Sequence, residues 1–114
     1  MPTASQKEQC VNNLDSILAV RGLDGICLGP NDLSGSLGKL GKASDPEVIQ
    51  AIDSVIEKVK RTQVFLGVST GYSPETLPVW IEKGIQWINL NVDWANLFIQ
   101  SKHVVDAVRK VTAR

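Results

Sequence analysis

An apolar run in the chain ends abruptly at Gly29-Pro30, and a carboxylate, Asp32, follows two residues later. The run has the length and composition of a strand buried on both faces. Proline ends such a strand because it has no N–H to donate to a ladder. Asp32 is therefore predicted just past the carboxyl end of a buried strand, where parallel α/β folds bind ligands and metals. The same spacing also suits an aspartate that caps a turn or a short helix.

The other residues whose side chains could take part in chemistry do not form a recognisable site. His103 lies ten residues into the last predicted helix, with no carboxylate or cysteine at ligand spacing, and is expected on the helix surface. A Gly-x-Ser-x-Gly pattern occurs at 67–71, but an α/β-hydrolase needs its histidine in a later loop. Lys42 does not belong to a Walker A loop, because Ser36 stands where the glycine is required.

Composition narrows the function classes further. The 114 residues suit one domain, and the twelve basic and twelve acidic residues cancel without forming a basic block. Nucleic acid and anionic membrane are therefore not expected partners. No apolar run approaches the roughly 18 residues that a membrane helix needs, and the polar start has no signal core. A cytoplasmic protein is expected, with Cys10 and Cys27 reduced and packed.

Apolar spacing predicts an α/β fold of three strands alternating with four helices. The four predicted helices run from about 5 to 20, from the cap Asp45 to about 61, from 73 or Pro78 to Gly84, and from the cap Asp93 over the last part of the chain. The three predicted strands cover 25–29, 64–68 and 87–92. A further short helix could start at Asp32. Alternation of this kind predicts a parallel sheet. The polar loops that follow the strands should then gather on one rim.

Several segments also resemble one known family. Residues 29–34, followed by Ser36-Leu37-Gly38, resemble the G-P-x-D-L-S-x-S-L-G segment of the HpcH/HpaI aldolases. Residues 11–17, 20–25 and 84–93 are similar to the helix, the strand approach and the last strand of the same family. The resemblance covers most of the chain. It implies that residues 1–114 are the carboxyl-terminal half-barrel of a TIM (β/α)₈ aldolase domain, with about three parallel strands and four helices.

The resemblance also assigns a site. It implies that Gly29, Pro30, Asn31 and Asp32 bind the carboxylate of a 2-oxo acid such as pyruvate, and that Asp32 ligates Mg²⁺ or Mn²⁺. A second metal ligand, a glutamate in the family, should fall near Gln6, with Glu8 close by and out of register. The family's catalytic histidine and substrate-binding arginine belong to the other half of the barrel. No catalytic residue is therefore assigned here, and metal binding by the isolated chain is expected to be weak or absent.

Three functions remain open at this stage. The chain could belong to a metal-dependent aldolase that cleaves 4-hydroxy-2-oxo acids to pyruvate and an aldehyde. It could be a truncated or split paralogue without activity that needs a partner half-barrel. It could also be a small doubly wound domain that binds an anion at Asn31-Asp32, although the resemblance favours the first two. Whether the chain is an enzyme is thus undecided by the sequence.

Association is expected in either of the first two cases. A half-barrel would leave its lining exposed, including members of Ile26, Leu28, Phe65, Val68, Ile88 and Leu90, and the last helix is apolar over much of its circumference. The expected partner is a second copy, giving a homo-oligomer, or a complementary half-barrel chain.

Overall fold

The computed structural model describes residues 6–113, with side chains from residue 9 onward. Its helices are α1 (Gln6–Asn12), α2 (Leu14–Leu18), α3 (Pro30–Ser36), α4 (Pro46–Val59), α5 (Thr76–Glu82) and α6 (Asp93–Thr112), and its strands are β1 (Gly25–Leu28), β2 (Phe65–Thr70) and β3 (Trp87–Leu90). The strands form one parallel sheet in the order β1-β2-β3. The predicted α/β alternation and the parallel sheet are confirmed.

The described chain contains six helices where the sequence predicted four and a possible short one. The first predicted helix is divided at Asn13 into α1 and α2. The short helix α3 begins at Pro30 rather than at Asp32, because proline at the first helical position has no N–H to leave unsatisfied. The last helix is not capped by Asp93. Val92 occupies the cap position without a side-chain bond, and Asp93 is the first helical residue.

Helix α4 and strand β2 form the core. The carboxylate of Asp45 accepts a hydrogen bond from the backbone N of Glu47 at 3.0 Å, which caps the helix as predicted. The apolar stripe that follows is buried at every predicted position, namely Val48, Ile52, Val55, Ile56 and Val59. This stripe belongs to the same buried cluster as Leu28, Leu66 and Val68 of the sheet. The sheet is thus stabilised by the packing of its helix-facing side against α4.

A half-barrel was expected to leave its lining face open, and one face of the sheet is left uncovered by the described residues. The interpretation of residues 25–29 as a strand buried on both faces is wrong, because Cys27 of β1 is exposed. Leu66 and Val68 of β2 are buried, whereas Phe65 on the same strand is 56% exposed. Trp87 of β3 is 41% exposed and lies across Gly67, where an added Cβ would overlap the indole ring. Successive strand residues point to opposite faces. Phe65, Gly67 and Trp87 therefore mark an open face.

Six strand residues were candidates for the exposed barrel lining, and the structure divides them between the two faces of the sheet. Leu28 and Val68 are buried in the core cluster. Ile26 and Ile88 pack against the same cluster. Phe65 alone of the expected set shares the face marked by Trp87. The register explains the outcome, since Val68 pairs with Ile88 and Gly67 with Trp87.

Helix α6 contributes no buried residue to the fold. The large apolar residues along it are exposed: Trp94, Leu97, Phe98, Ile99, Val104, Val105, Val108 and Val111. The molecule measures 63 × 36 × 23 Å, and its Cα radius of gyration is 17.8 Å. A compact domain of about 100 residues has a radius of about 13 Å, so the chain is extended for its length. Among the described helices, none combines the length and apolarity needed to cross a bilayer.

Candidate functional site

Polar side chains gather at the carboxyl ends of β2 and β3, as predicted. The side-chain nitrogen of Asn89 donates to the hydroxyl of Ser69 at 3.3 Å. The backbone N of Asn91 donates to the carbonyl of Thr70 at 3.0 Å, and its side-chain oxygen accepts from the N of Tyr72 at 2.6 Å. Asn91 has a φ of 60°, a left-handed conformation that asparagine tolerates better than most residues. Asn91 thereby links the ends of β2 and β3 by hydrogen bonds.

The turn at Gly29–Asp32 lies at the carboxyl end of β1. Gly29 is the cap residue of α3, and Pro30 is its first residue. The backbone N of Leu33 donates to the carbonyl of Gly29 at 2.8 Å. This bond places the N–H groups of Asn31 and Asp32 before the start of the helix's own ladder, in its first turn. Asp32 therefore does not cap the helix. Its carboxylate sits in the first turn, where negative charge is favourable.

Two neighbouring residues fix the shape of this turn. The hydroxyl of Ser34, which has no exposed surface, donates to the carbonyl of Asn31 at 2.7 Å. A Cβ added at Gly29 would lie 3.0 Å from a carboxylate oxygen of Asp32. Ser34 was not predicted as a site residue, although it lies in the segment that carries the family resemblance. Its role required knowing that the side chain is buried beneath the turn.

A cavity of about 460 Å³ opens beside this turn. Asp32 and Ser69 supply polar groups at its edge, and its walls are mostly apolar side chains from α1, α2 and β1. The carboxyl end of β2, where Ser69 lies, and the turn after β1 thus meet at one cavity.

Cys10 and Cys27 both line this cavity, and both are free and exposed rather than packed as predicted. Cys27 lies on β1 opposite the buried side chain of Leu28, so it belongs to the open face. Partial burial raises the pKa of the Cys27 thiol. Because the thiolate is the reactive form, this shift makes Cys27 a poorer nucleophile at neutral pH.

The described side chains do not make up a metal site. They include no group of three His, Cys, Asp or Glu residues that could hold an ion. Asp32 offers one carboxylate at the cavity, whereas Mg²⁺ and Mn²⁺ take several oxygen ligands. The side chains of Gln6 and Glu8, the expected positions for a second ligand, lie outside the described residues. His103 is exposed on α6, as predicted.

The family model and the curated relatives that match this chain agree with one another. The family model described as HpcH/HpaI aldolase/citrate lyase matches residues 6–97. A 5-keto-4-deoxy-D-glucarate aldolase of Citrobacter koseri is 46% identical over 55 residues, which is 48% of this chain and 21% of the relative. A hydroxypyruvate/pyruvate aldolase of Agrobacterium fabrum is 38% identical over 66 residues, which is 58% of this chain and 25% of the relative.

A solved structure extends the likeness to the fold. The HpcH/HpaI aldolase of Desulfitobacterium hafniense DCB-2 superposes with a TM-score of 0.81 at 31% sequence identity. The match covers 89% of this chain but 39% of the solved chain. The chain thus corresponds to less than half of the solved relative, and its matches to the curated relatives span about a quarter of their length or less.

Proposed function

Because the chain belongs to the HpcH/HpaI aldolase/citrate lyase family, we propose that residues 1–114 form the carboxyl-terminal half-barrel of an aldolase domain. In the completed domain the reaction would be retro-aldol cleavage of a 4-hydroxy-2-oxo acid to pyruvate and an aldehyde. The single observation that carries the proposal is the turn at Gly29–Asp32. It lies at the carboxyl end of a parallel strand, where barrel enzymes bind their substrates.

The turn has the features needed to bind the carboxylate of a 2-oxo acid. The N–H groups of Asn31 and Asp32 lie in the first turn of α3, and the positive end of the helix favours an anion there. Gly29 and Pro30 set the direction of the backbone at this point. The buried hydroxyl of Ser34 holds the carbonyl of Asn31. In this proposal the chain binds and orients the oxo acid.

The proposed cofactor is a divalent metal, Mg²⁺ or Mn²⁺, with Asp32 as the ligand contributed by this chain. In a completed site such an ion would polarise the carbonyl of the oxo acid. One carboxylate is too few for a dedicated site, and the described side chains do not complete it. We therefore expect isothermal titration calorimetry with Mn²⁺ to show weak or no binding to the chain alone. Micromolar affinity would instead mean that further residues, such as Gln6 or Glu8, complete the ligand set.

The alternative is a truncated or split paralogue that associates with a half-barrel but does not turn over substrate. Both versions predict the same partners: a 2-oxo acid at the turn, and either a second copy or a complementary half-barrel. Both also place the protein in the cytoplasm, a reducing compartment in which free thiols such as Cys10 and Cys27 persist.

A turnover assay separates the two versions. The chain alone, with Mn²⁺ and a 4-hydroxy-2-oxo acid, should release no pyruvate above background, because acid–base groups that contribute about 10²–10⁴-fold in enzymes are not assigned to it. Co-expressed with the remaining segment of the Desulfitobacterium aldolase, it should release pyruvate in a metal-dependent way. Asp32→Asn should return this activity to background.

The matched control is Asp24→Asn, an aspartate outside the cavity lining whose backbone carbonyl, not its side chain, bonds to β2. It should retain the activity of the complemented protein. A stable complex without pyruvate release would support the non-catalytic alternative. Turnover by the chain alone that Asp32→Asn abolishes would overturn the prediction that a second half-barrel is needed.

A further inference from the structure

Two polar side chains are hydrogen-bonded to each other on the open face of the sheet, at the carboxyl ends of β2 and β3. The side-chain nitrogen of Asn89 donates to the hydroxyl oxygen of Ser69 at 3.3 Å, and both residues are exposed. They are also partners in the parallel register of the two strands. Residues two apart on a strand share a face, so this polar pair lies on the face of Gly67 and Trp87.

The surface below the polar pair on the same face is mostly aromatic. The indole of Trp87 lies across Gly67, and the ring of Phe65 is exposed further towards the start of β2. These rings offer mainly carbon surface to a ligand. A small molecule that reaches Ser69 and Asn89 therefore meets two polar side chains above an aromatic floor.

The polar pair is also close to the turn at Gly29–Asp32. The last paired residues of β1 and β2 are Leu28 and Val68. Ser69 is the next residue of β2, so it lies about one strand spacing, roughly 4.8 Å, from Gly29 of the turn. Asp32 and Ser69 border the same cavity. When the turn holds the carboxylate of a short acid, the other end of that acid is thus within reach of Ser69.

Ser69 keeps hydrogen-bonding capacity beyond its contact with Asn89. The amide of Asn89 donates to the hydroxyl oxygen, whereas a serine hydroxyl also has an O–H of its own to donate. Within the part of the chain that the structure describes, no acceptor is bonded to this O–H. Because the bond from Asn89 fixes the oxygen as an acceptor on that side, the O–H of Ser69 is left for a ligand.

We propose that Ser69, positioned by Asn89, selects oxo acids that carry a hydroxyl group on the aldehyde-derived part of the substrate. The O–H of Ser69 would donate to the hydroxyl oxygen on the fifth carbon of a 4,5-dihydroxy-2-oxo acid. Cleavage of such an acid yields pyruvate and a hydroxyaldehyde. Ser69 would then determine specificity, and Asn89 would act through it as a positioning residue. This assignment rests on the proposed function, because it takes the turn at Gly29–Asp32 as the carboxylate site.

NMR titration of the isotope-labelled full chain tests the polar pair without requiring turnover. The probes are 4,5-dihydroxy-2-oxopentanoate and 4-hydroxy-2-oxopentanoate, which differ by one hydroxyl group, each added with Mg²⁺ present. Both acids should shift the backbone amide signals of Asn31 and Asp32. Only the dihydroxy acid should shift the side-chain amide signals of Asn89. It should also bind about three- to tenfold more tightly, as expected for one net hydrogen bond.

Four variants separate the hydroxyl of Ser69 from its surroundings. Ser69→Ala should remove the preference for the dihydroxy acid, whereas Ser69→Thr keeps a hydroxyl on a residue favoured in strands and should retain it. In Asn89→Asp a carboxylate would accept the O–H of Ser69, so the preference should fall although the side chain keeps its size. The matched control is Thr70→Val, which removes the neighbouring hydroxyl on the opposite face and should leave the preference unchanged.

The outcomes distinguish this proposal from the proposed function. Signals of Asn31 and Asp32 that respond to both acids, with no response at Asn89 and equal affinities, would refute the polar pair and leave the proposed function standing. No shift with either acid would refute both. A preference that Ser69→Ala leaves intact while it lowers the free energy of unfolding in urea would reduce the pair to a cross-strand contact and overturn the proposal. A preference lost in Ser69→Ala, in a chain whose complemented form releases no pyruvate, would support the pair and count against the activity alone.

Discussion

Helices α4 and α6 are both rich in large aliphatic residues, yet they end in opposite environments. Helix α4 buries five of its fourteen residues against the sheet. Helix α6 has twenty residues and buries none in the described structure. Ile52 on α4 is 3% exposed, whereas Ile99 on α6 is 53% exposed. The same residue type therefore stabilises the fold in one helix and leaves apolar surface in water in the other.

The difference lies in what each helix faces. Helix α4 precedes β2 and packs in the cluster that includes Leu66 and Val68. Helix α6 follows the last strand of the described sheet, where no further strand lies beside β3. Burial is therefore a property of the element across the interface as well as of the sequence. The following predictions test whether α6 and the open face of the sheet acquire such an element.

The largest expected effect is association through α6. Burial of each large side chain is worth roughly 1.5–3 kcal/mol, and the exposed set on α6 includes Leu97 and Phe98. We expect light scattering after size exclusion at micromolar concentration to give a mass above the 12.4 kDa of one chain. The double variant Leu97→Ser, Phe98→Ser should shift the mass towards 12.4 kDa. A sharp, cooperatively melting wild-type monomer would contradict the prediction.

The next prediction compares the loss of folding stability caused by one substitution, isoleucine to alanine, at a buried and at an exposed site. Ile52→Ala should lower the free energy of unfolding by about 2–5 kcal/mol, because it empties part of the core. Ile99→Ala, measured at a dilution where the chain is monomeric, should change it by about 0.5 kcal/mol or less, as for other surface sites. Urea unfolding followed by circular dichroism measures both. An equal cost at Ile99 would show that α6 is covered even in dilute solution.

The sequence predicted the elements that local chemistry determines. Asp45-Pro46-Glu47 marks a helix start by itself, because the cap, the proline and the first-turn acid all act within one turn. The turn at Gly29-Pro30 likewise follows from two residues with special backbones. The polar rim follows from the parallel order, since strands that run in one direction bring their ends to one edge.

The errors arose where the answer depends on a distant partner. An apolar strand has the same sequence whether one face or both are covered, so Cys27 was wrongly expected to be packed. For the same reason, the candidates for the exposed lining could not be assigned to one face of the sheet. Asn13, which separates α1 from α2, carries no glycine or proline signal. Gly67 did offer a usable signal, because a glycine inside a strand often marks a close approach. Its partner, Trp87, could be identified only from the register between β2 and β3.

A smaller effect is expected on the open face, at Gly67. A Cβ there would overlap the Trp87 indole, so Gly67→Ala should displace the ring and cost about 1–3 kcal/mol, as overpacking does. In a Trp87→Ala background the same substitution should cost much less, and the difference is the coupling energy of the pair. Urea unfolding of the four proteins gives this cycle. Additive effects would show that the indole does not rest on Gly67.

The smallest effect is a difference between α4 and α6 in how folding stability depends on pH. The ammonium of Lys39, at 2.7 Å, and the N–H of Glu47 hold the pKa of the Asp45 carboxyl below its ordinary value of 3.8. A lowered pKa means that the ionised form stabilises the fold above pH 3.8, and that this contribution is lost as the pH falls through the lowered value. Asp45→Asn should therefore flatten the loss of stability in this acid range. The comparison variant is Asp106→Asn on α6, whose carboxylate pairs with Lys102 at 2.6 Å within its own helix. Thermal unfolding of both variants between pH 2 and pH 6 measures the two slopes, and equal slopes would mean that the α4 cap carries no special share of acid sensitivity.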